Sequence, residues 1–252
     1  MRRILLVNHT SVREGRVEPQ LQAKGCEVEW CFPATGERLP GNSGAYEGVI
    51  VFGGYQSAND GGRIDWLGRE LDWIARHVES GGAYLGICLG SQLLARVLGA
   101  TVAHHPTGVN QIGYYPVTAT PAGAALFPDP PLLVYHWHEE GFTVPPGATL
   151  LATAADFPNQ AFSWGGRAFG LQFHPEVTPP VLRRWLDAAP DHLERPGAFS
   201  REAQLADCAR YDAPLERWLD SFLDHWLAAA AGDPLPAPAT APARPSGVAL
   251  NR

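Results

Sequence analysis

Cysteine is scarce in this sequence, which has only Cys26, Cys31, Cys88 and Cys208 among its 252 residues. Cys26 and Cys31 lack a second nearby pair of Cys or His at the spacing of zinc ligands. No export signal is evident, because the apolar run that begins at Ile4 stops at Asn8 and is too short. We therefore expect reduced thiols, no metal site, no cofactor and a cytoplasmic location.

Positive charge and long apolar stretches are also in short supply. The chain has 19 Lys and Arg against 26 Asp and Glu, a formal net charge of -7. Nucleic-acid binding depends on clustered basic residues that neutralise phosphates, so this balance argues against it. No apolar stretch approaches the roughly 20 residues of a membrane-spanning helix. We expect neither nucleic acid nor a membrane among its partners.

Large apolar residues, by contrast, are plentiful. Hydrophobic residues make up 45% of the chain, including eight Trp and ten Phe, enough for a packed core. Chains of this length often fold around one sheet. We predict one α/β domain over residues 1–190, a helical extension over 191–231 and a flexible Pro/Ala-rich tail over 232–252.

The first half of the chain alternates between strand and helix patterns. The spacing of apolar residues predicts helices over Asp65–Glu79, with Asp65 as its cap, and over Leu89–Leu98. Short apolar runs, typical of strands buried on both faces of a parallel sheet, lie at Arg3–Asn8, Glu27–Cys31, Gly48–Phe52 and Ala83–Ile87. The order predicts strand–helix–strand units around a parallel sheet.

The second half changes to short extended segments followed by helices. A helix is predicted over Thr178–Asp187, and a mostly helical stretch over Phe199–Ala231. His104 and His105 are interpreted as loop residues. Further strands are predicted near Gly113–Val117, Leu132–Tyr135, Thr149–Thr153, Ala161–Trp164 and Ala168–Phe173.

Cys88 stands between a predicted strand and a predicted helix, with Gly86 and Gly90 two residues away on either side. This is the pattern of a nucleophile elbow with sulfur in place of oxygen. The free N–H groups of the following helix would favour a thiolate. A buried structural cysteine between two incidental glycines is the alternative.

A candidate base follows the last predicted strand. His174 would emerge at a strand end, where the active sites of open α/β sheets collect, and Pro175 favours extended geometry before it. A neutral imidazole accepts a thiol proton, and Glu176 could hold the ring in the required tautomer. Alone, this tripeptide is more typical of a surface turn.

Other residues complete a candidate pocket. The N–H groups of Gly54 and Leu89 are candidate oxyanion donors, and Gly53 lets bare backbone approach a ligand. Gln92, one turn after Cys88, and His138 are candidate substrate-binding residues. The carboxylates that follow His138 suggest metal ligands, but their crowding favours a pocket wall.

Together these segments resemble the class I glutamine amidotransferases, of the stand-alone, GMP synthase-like type, over about Ile4 to Leu186. The segments are Gly53-Gly54, Gly86 to Gln92, Trp137 to Phe142, Pro158 to Phe162 and Gln172 to Val177. The resemblance implies a flavodoxin-like, three-layer α/β/α fold with a mostly parallel central sheet, and a Cys88–His174–Glu176 triad. It also implies a γ-glutamyl thioester, which forms with release of ammonia and is then resolved by water. Tyr55-Gln56 and Glu139-Glu140 depart from the usual family pattern near the substrate.

Three functions follow as hypotheses. The first is a glutaminase or glutamine amidotransferase that passes ammonia to an acceptor or to a separate synthetase subunit, since no synthetase domain is recognised in the sequence. The second is a γ-glutamyl amide or peptide hydrolase with the same three groups. The third is a non-catalytic regulatory subunit that retains the fold. The sequence does not indicate an oligomeric state.

Overall fold

A computed structural model describes residues 2–128 and 130–232, so all but the first residue of the predicted tail lies outside the described residues. The helices are α1 (Val17–Ala23), α2 (Asp65–Glu79), α3 (Leu89–Val97), α4 (Pro179–Ala188) and α5 (Arg201–Ala231). The strands are β1 (Arg2–Val7), β2 (Cys26–Cys31), β3 (Gly48–Val51), β4 (Ala83–Ile87), β5 (Val102–His104), β6 (Gln111–Ala119), β7 (Leu132–His138), β8 (Glu140–Phe142), β9 (Thr149–Thr153), β10 (Ala161–Trp164) and β11 (Ala168–Leu171).

Nine strands form one sheet in the order β2-β1-β3-β4-β11-β10-β9-β6-β7. The first five are mutually parallel, and each pairing from β11 to β7 is antiparallel. β5 and β8 form a separate antiparallel pair. The carboxyl ends of β3, β4 and β11 therefore lie side by side, at the edge where open α/β sheets hold their ligands.

Alternation along β1 shows how the helices form two layers. Ile4 and Leu6 pack with residues of α1, α4 and α5, whereas Leu5 and Val7 pack with residues of α2 and α3. All four side chains are fully buried, as expected of a strand covered on both faces. The predicted three-layer α/β/α arrangement is confirmed.

Helix α5 supplies a large part of one layer. Its large buried apolar side chains lie in the same cluster as Ile4 and Leu85, and they are Leu215, Trp218, Leu219, Phe222, Leu223, Trp226 and Leu227. Gly48 in β3 makes room for Trp226, since a Cβ on this glycine would lie 2.5 Å from the indole ring. The predicted extension thus packs on the sheet, while the boundary at residue 190 stays a prediction.

The structure differs from the sequence-based expectations in a few elements. Helix α1 was not predicted, because it has only seven residues and buries only Val17 and Leu21. Asp65 is the first residue of α2 rather than its cap, a position that Ile64 occupies. His104 lies in β5 rather than in a loop. In the described ranges, no helix combines the length and apolarity that crossing a membrane requires.

Candidate active site

Cys88 lies on the sharp turn between β4 and α3. Its φ of 51° is the only positive value of a non-glycine residue in the described part of the chain, and such backbone strain clusters at functional sites. A Cβ on Gly86 would lie 2.4 Å from the carbonyl oxygen of Gly90, and one on Gly90 would lie 2.0 Å from that of Val51. Glycine is therefore required on both sides of the turn, as the sequence predicts.

Backbone hydrogen bonds tie this turn to its neighbours. The Cys88 N–H donates to the Leu171 carbonyl at 2.8 Å, and the Gly90 N–H donates to the Phe52 carbonyl at 3.2 Å. Within residues 2–128 and 130–232, no acceptor takes the N–H of Leu89 or of Gly54. These two donors are the ones that the sequence predicts for an oxyanion.

His174 is held on both its backbone and its ring. Its N–H donates to the Tyr135 carbonyl at 2.7 Å, and its ring lies edge-on to Trp185 with centroids 5.0 Å apart. Nδ1 lies 2.7 Å from Oε1 of Glu176, so a carboxylate fixes this nitrogen as a donor. Nε2 is left as the nitrogen that can exchange a proton with another group.

Gly53 shows how close the cysteine and the histidine are. A Cβ on Gly53 would lie 2.8 Å from Cε1 of His174 and 3.5 Å from Cβ of Cys88. Both side chains therefore flank the same glycine at the end of β3. The structure brings together Cys88, His174 and Glu176, which lie up to 88 residues apart in the sequence (176 − 88).

The surroundings of His174 favour the protonated form of its ring. Burial alone would lower the pKa of its imidazole, but the Glu176 carboxylate and the Cys88 sulfur outweigh that effect and raise the pKa to about 10. The ring therefore carries its proton at neutral pH.

Gln92 and Gln172 form a buried amide network next to the sulfur. Nε2 of Gln172 lies 3.9 Å from Sγ of Cys88, and its Oε1 accepts from Nε2 of Gln92 at 3.3 Å. Nε2 of Gln92 also donates to the Glu140 carbonyl at 2.9 Å. Gln92 thus borders the site while bonded within the protein, and its role toward a substrate stays a prediction.

His138 is also bonded within the protein. Its Nδ1 lies 3.0 Å from the Glu140 carbonyl and its Nε2 lies 3.1 Å from Nδ1 of His136. Burial and the nearby His174 lower the pKa of His138 to about 3, so the ring is neutral. In the ranges that the structure describes, no three His, Cys, Asp or Glu side chains are grouped as metal ligands.

A cavity of about 660 Å³ opens above these residues. All eight site residues predicted from the sequence line it, namely Gly53, Gly54, Cys88, Leu89, Gln92, His138, His174 and Glu176. Other lining residues were not predicted, and they include Val12, Glu14, Arg184 and Arg195. Single residues of this kind, such as Glu14 in a loop and Arg184 within α4, belong to no motif, so only the folded structure identifies them.

The fold is that of flavodoxin-like α/β/α domains. The sequence profile of class I glutamine amidotransferases matches residues 14–184, and the chain belongs to that family, whose members are hydrolases or amidotransferases. A glutamine amidotransferase of known structure from Thermotoga maritima is 32% identical with a TM-score of 0.82, covering 90% of this chain and 98% of that one. Another from Methylobacillus flagellatus, 24% identical with a TM-score of 0.84 over 91% and 95%, shares the fold.

Relatives with curated names point to the same family. A glutamine amidotransferase-like protein, YfeJ of Salmonella typhimurium, is 35% identical over 62% of this chain and 67% of its own length. The GMP synthase of Aeropyrum pernix is 35% identical over 61% of this chain, but the match spans only 29% of that enzyme. Gamma-glutamyl peptidase 5 of Arabidopsis thaliana is 27% identical over 56% and 58%.

Proposed function

We propose that the chain hydrolyses the side-chain amide of glutamine, with Cys88 as nucleophile, His174 as general acid and base, and Glu176 orienting His174. The observation that carries the proposal is the placement of a cysteine on a strained turn, next to a buried histidine bonded to a glutamate, in one cavity. A structural cysteine requires neither the strain nor the buried charge.

In the first step, Sγ of Cys88 attacks the carbonyl carbon of the amide. A C–S bond forms, and the carbonyl electron pair moves onto the oxygen, where the N–H groups of Gly54 and Leu89 stabilise it. The pair then returns, the C–N bond breaks, and His174 gives its proton to the departing nitrogen as ammonia. A γ-glutamyl thioester remains on Cys88.

In the second step, water replaces the sulfur. The neutral His174 takes a proton from water while the water oxygen attacks the thioester carbon. The C–S bond breaks, glutamate leaves, and the thiolate and imidazolium are restored. The sum is glutamine and water converted to glutamate and ammonia, with no oxidant or cofactor consumed.

Two pairs of opposite charge line the cavity and suit the α-amino and α-carboxylate groups of an amino-acid substrate. Arg184 pairs with Glu14, and Arg195 pairs with Glu139 at 2.9 Å. Arg184 and Glu139 are more than half exposed in their side chains, so a substrate can compete for them at little cost. The ammonia acceptor would be a separate synthetase subunit or none.

Exposed apolar residues that line the cavity favour a second substrate class, γ-glutamyl amides or peptides. Val12 and Tyr55 are the exposed large hydrophobic residues of the described chain, at 47% and 82%, and both line the cavity. Such surface fits an apolar leaving group larger than ammonia. The similarity to a gamma-glutamyl peptidase is consistent with this candidate.

The test is release of ammonia or amine from glutamine and from a panel of γ-glutamyl amides and dipeptides, with Cys88→Ala as the inactive control. A preference for glutamine supports the first candidate. A preference for bulky amides that Tyr55→Ser reduces, with glutamine turnover unchanged, supports the second. Absence of release from all substrates, together with no labelling of Cys88 by a glutamine-like electrophile, would leave the non-catalytic subunit.

A further inference from the structure

A buried acid–base pair lies behind the candidate oxyanion donor. His9 follows the end of β1 and Glu70 lies in α2, and their side chains are 0% and 1% exposed. Nε2 of His9 lies 3.0 and 3.2 Å from the two carboxylate oxygens of Glu70. The other ring nitrogen, Nδ1, lies 2.9 Å from the carbonyl oxygen of Gly53.

The partners of His9 determine its protonation. A carbonyl oxygen and an ionised carboxylate only accept hydrogen bonds, so beside an ionised Glu70 both ring nitrogens donate and the ring is an imidazolium. Burial opposes this charge, but Glu70 and the backbone carbonyls outweigh it and raise the pKa of His9. The Gly53 carbonyl thus receives a charge-assisted hydrogen bond, which is stronger than a neutral one.

This hydrogen bond also fixes the N–H of the next residue. The Gly53 carbonyl and the Gly54 N–H belong to one planar peptide group, in which they point in opposite directions. With the carbonyl turned toward His9, the Gly54 N–H points away from His9. A Cβ on Gly53 would meet the side chains of Cys88 and His174, so this peptide lies beside both.

With glycine on both sides, the orientation of this peptide group would be poorly defined. Both Gly53 and Gly54 lack the side chain that restricts backbone rotation, and a flipped peptide would turn the carbonyl toward the substrate oxygen. Close packing requires glycine at both positions, since a Cβ on Gly54 would lie 2.9 Å from Cβ of His9 and 2.8 Å from Leu89. Another group must therefore hold the peptide, and His9 is bonded to it.

We propose that His9 and Glu70 are positioning residues, which hold the Gly53–Gly54 peptide so that the Gly54 N–H faces the oxyanion. This inference rests on the proposed amide hydrolysis. His9 does not line the cavity and touches no reacting atom. Burying two charges costs stability, so a role in function would explain why the pair is there. Orientation of a catalytic donor is such a role.

The test distinguishes a loss of oxyanion stabilisation from a general disruption of the site. The double variant His9→Phe/Glu70→Leu removes both charges, keeps apolar volume and leaves no unpaired ion. Turnover of the preferred amide substrate is measured beside the alkylation rate of Cys88 by iodoacetamide, a displacement that creates no oxyanion. We expect kcat to fall roughly 10²-fold, the size typical for loss of one oxyanion donor. KM and the alkylation rate should stay within about threefold.

Two further variants complete the comparison. His9→Asn/Glu70→Gln keeps an amide donor near the Nδ1 position and should recover most of kcat. His77→Leu is the matched control, because His77 is a buried histidine on the same helix as Glu70 that bonds to the Ala83 carbonyl, away from the cavity. Its kcat should be unchanged.

The outcomes are distinguishable. If the wild-type chain turns over substrate and the double variant stays within threefold in kcat, the positioning role is wrong while the proposed function stands. If kcat and alkylation fall together, the pair is only structural. A wild-type chain that releases no amine from any substrate overturns both. Should the first double variant fail to fold, His9→Leu/Glu70→Met replaces it and is judged by the same criteria.

Discussion

Gly53 is the residue where the geometry of the site is tightest. It carries no positive φ, so alanine is compatible with its backbone, but the added Cβ would lie 2.8 Å from the His174 ring. We expect Gly53→Ala to displace His174 and lower kcat at least about tenfold, with a small change in the unfolding midpoint. Steady-state kinetics and thermal unfolding measure the two effects.

Gly41→Ala is the control for this prediction, since a Cβ there would meet nothing within 4 Å. Its activity and unfolding midpoint should both match the wild type. Equal activity of the two variants would show that the ring of His174 has room to move, and the tight packing around Gly53 would then carry no catalytic meaning.

The raised pKa of His174 predicts a dependence of stability on pH. A group with a folded pKa of about 10 and an unfolded pKa of 6.5 contributes stability that is complete below 6.5 and is lost as pH rises through 10. The wild type should therefore lose its advantage over His174→Gln between pH 7 and pH 10, by on the order of 1–3 kcal/mol. Urea unfolding at each pH measures this difference, and a constant difference would argue against a protonated ring.

The sequence predicted most long elements because their local signals agree with their burial. The β4 run from Ala83 to Ile87 is completely buried, and α2 carries one apolar stripe. Helix α5 begins where Ser200 caps it and continues through Pro214, since its apolar face is strong enough to compensate for one missing hydrogen bond. The short α1 and β5 have too few buried residues to give a periodic signal.

Substitutions of Trp226 test whether α5 is part of the core. It is fully buried and touches Gly48 of β3, so Trp226→Ala should destabilise the chain by about 3–5 kcal/mol. Trp226→Phe should cost much less, because the indole N–H has no partner among the described residues and phenylalanine removes it. Chemical denaturation of both variants, with the exposed Glu216→Ala as control, measures the effects; a small cost for alanine would mean that α5 folds apart from the sheet.

Part of the site could be predicted from the sequence, because parallel strands place their carboxyl ends together. Motifs after β3, β4 and β11 identified Gly53, Cys88 and His174, and the sheet order makes these three strands neighbours. The pair of His9 and Glu70 had no such signal, since the two residues lie 61 positions apart and belong to no recognisable pattern. Long-range polar contacts of this kind depend on the packing of whole elements.

Arg16 connects the C-terminal helix to the site. Its N–H donates to the Glu176 carbonyl at 3.0 Å, and its buried guanidinium donates to the Val177 carbonyl at 2.6 Å and pairs with Asp212 of α5. A Cβ on the neighbouring Gly15 would lie 2.7 Å from the Glu176 carbonyl oxygen. The segment that carries Glu176 is therefore held in place through α5.

Removing the carboxylate of Asp212 should affect both folding and chemistry. Asp212→Ala leaves Arg16 buried with one charge partner fewer, so we expect a loss of about 2–4 kcal/mol in unfolding free energy. Looser support of Glu176 should also lower kcat several-fold, with KM changed less.

Asp220→Ala is the matched control on the same helix, because Asp220 is about half-exposed and pairs with Lys24, an arrangement worth at most about 1 kcal/mol. If the two variants lose equal stability and keep equal kcat, α5 only covers the sheet; a fall in kcat confined to Asp212→Ala, at a temperature where both variants are folded, would show that the helix supports the site.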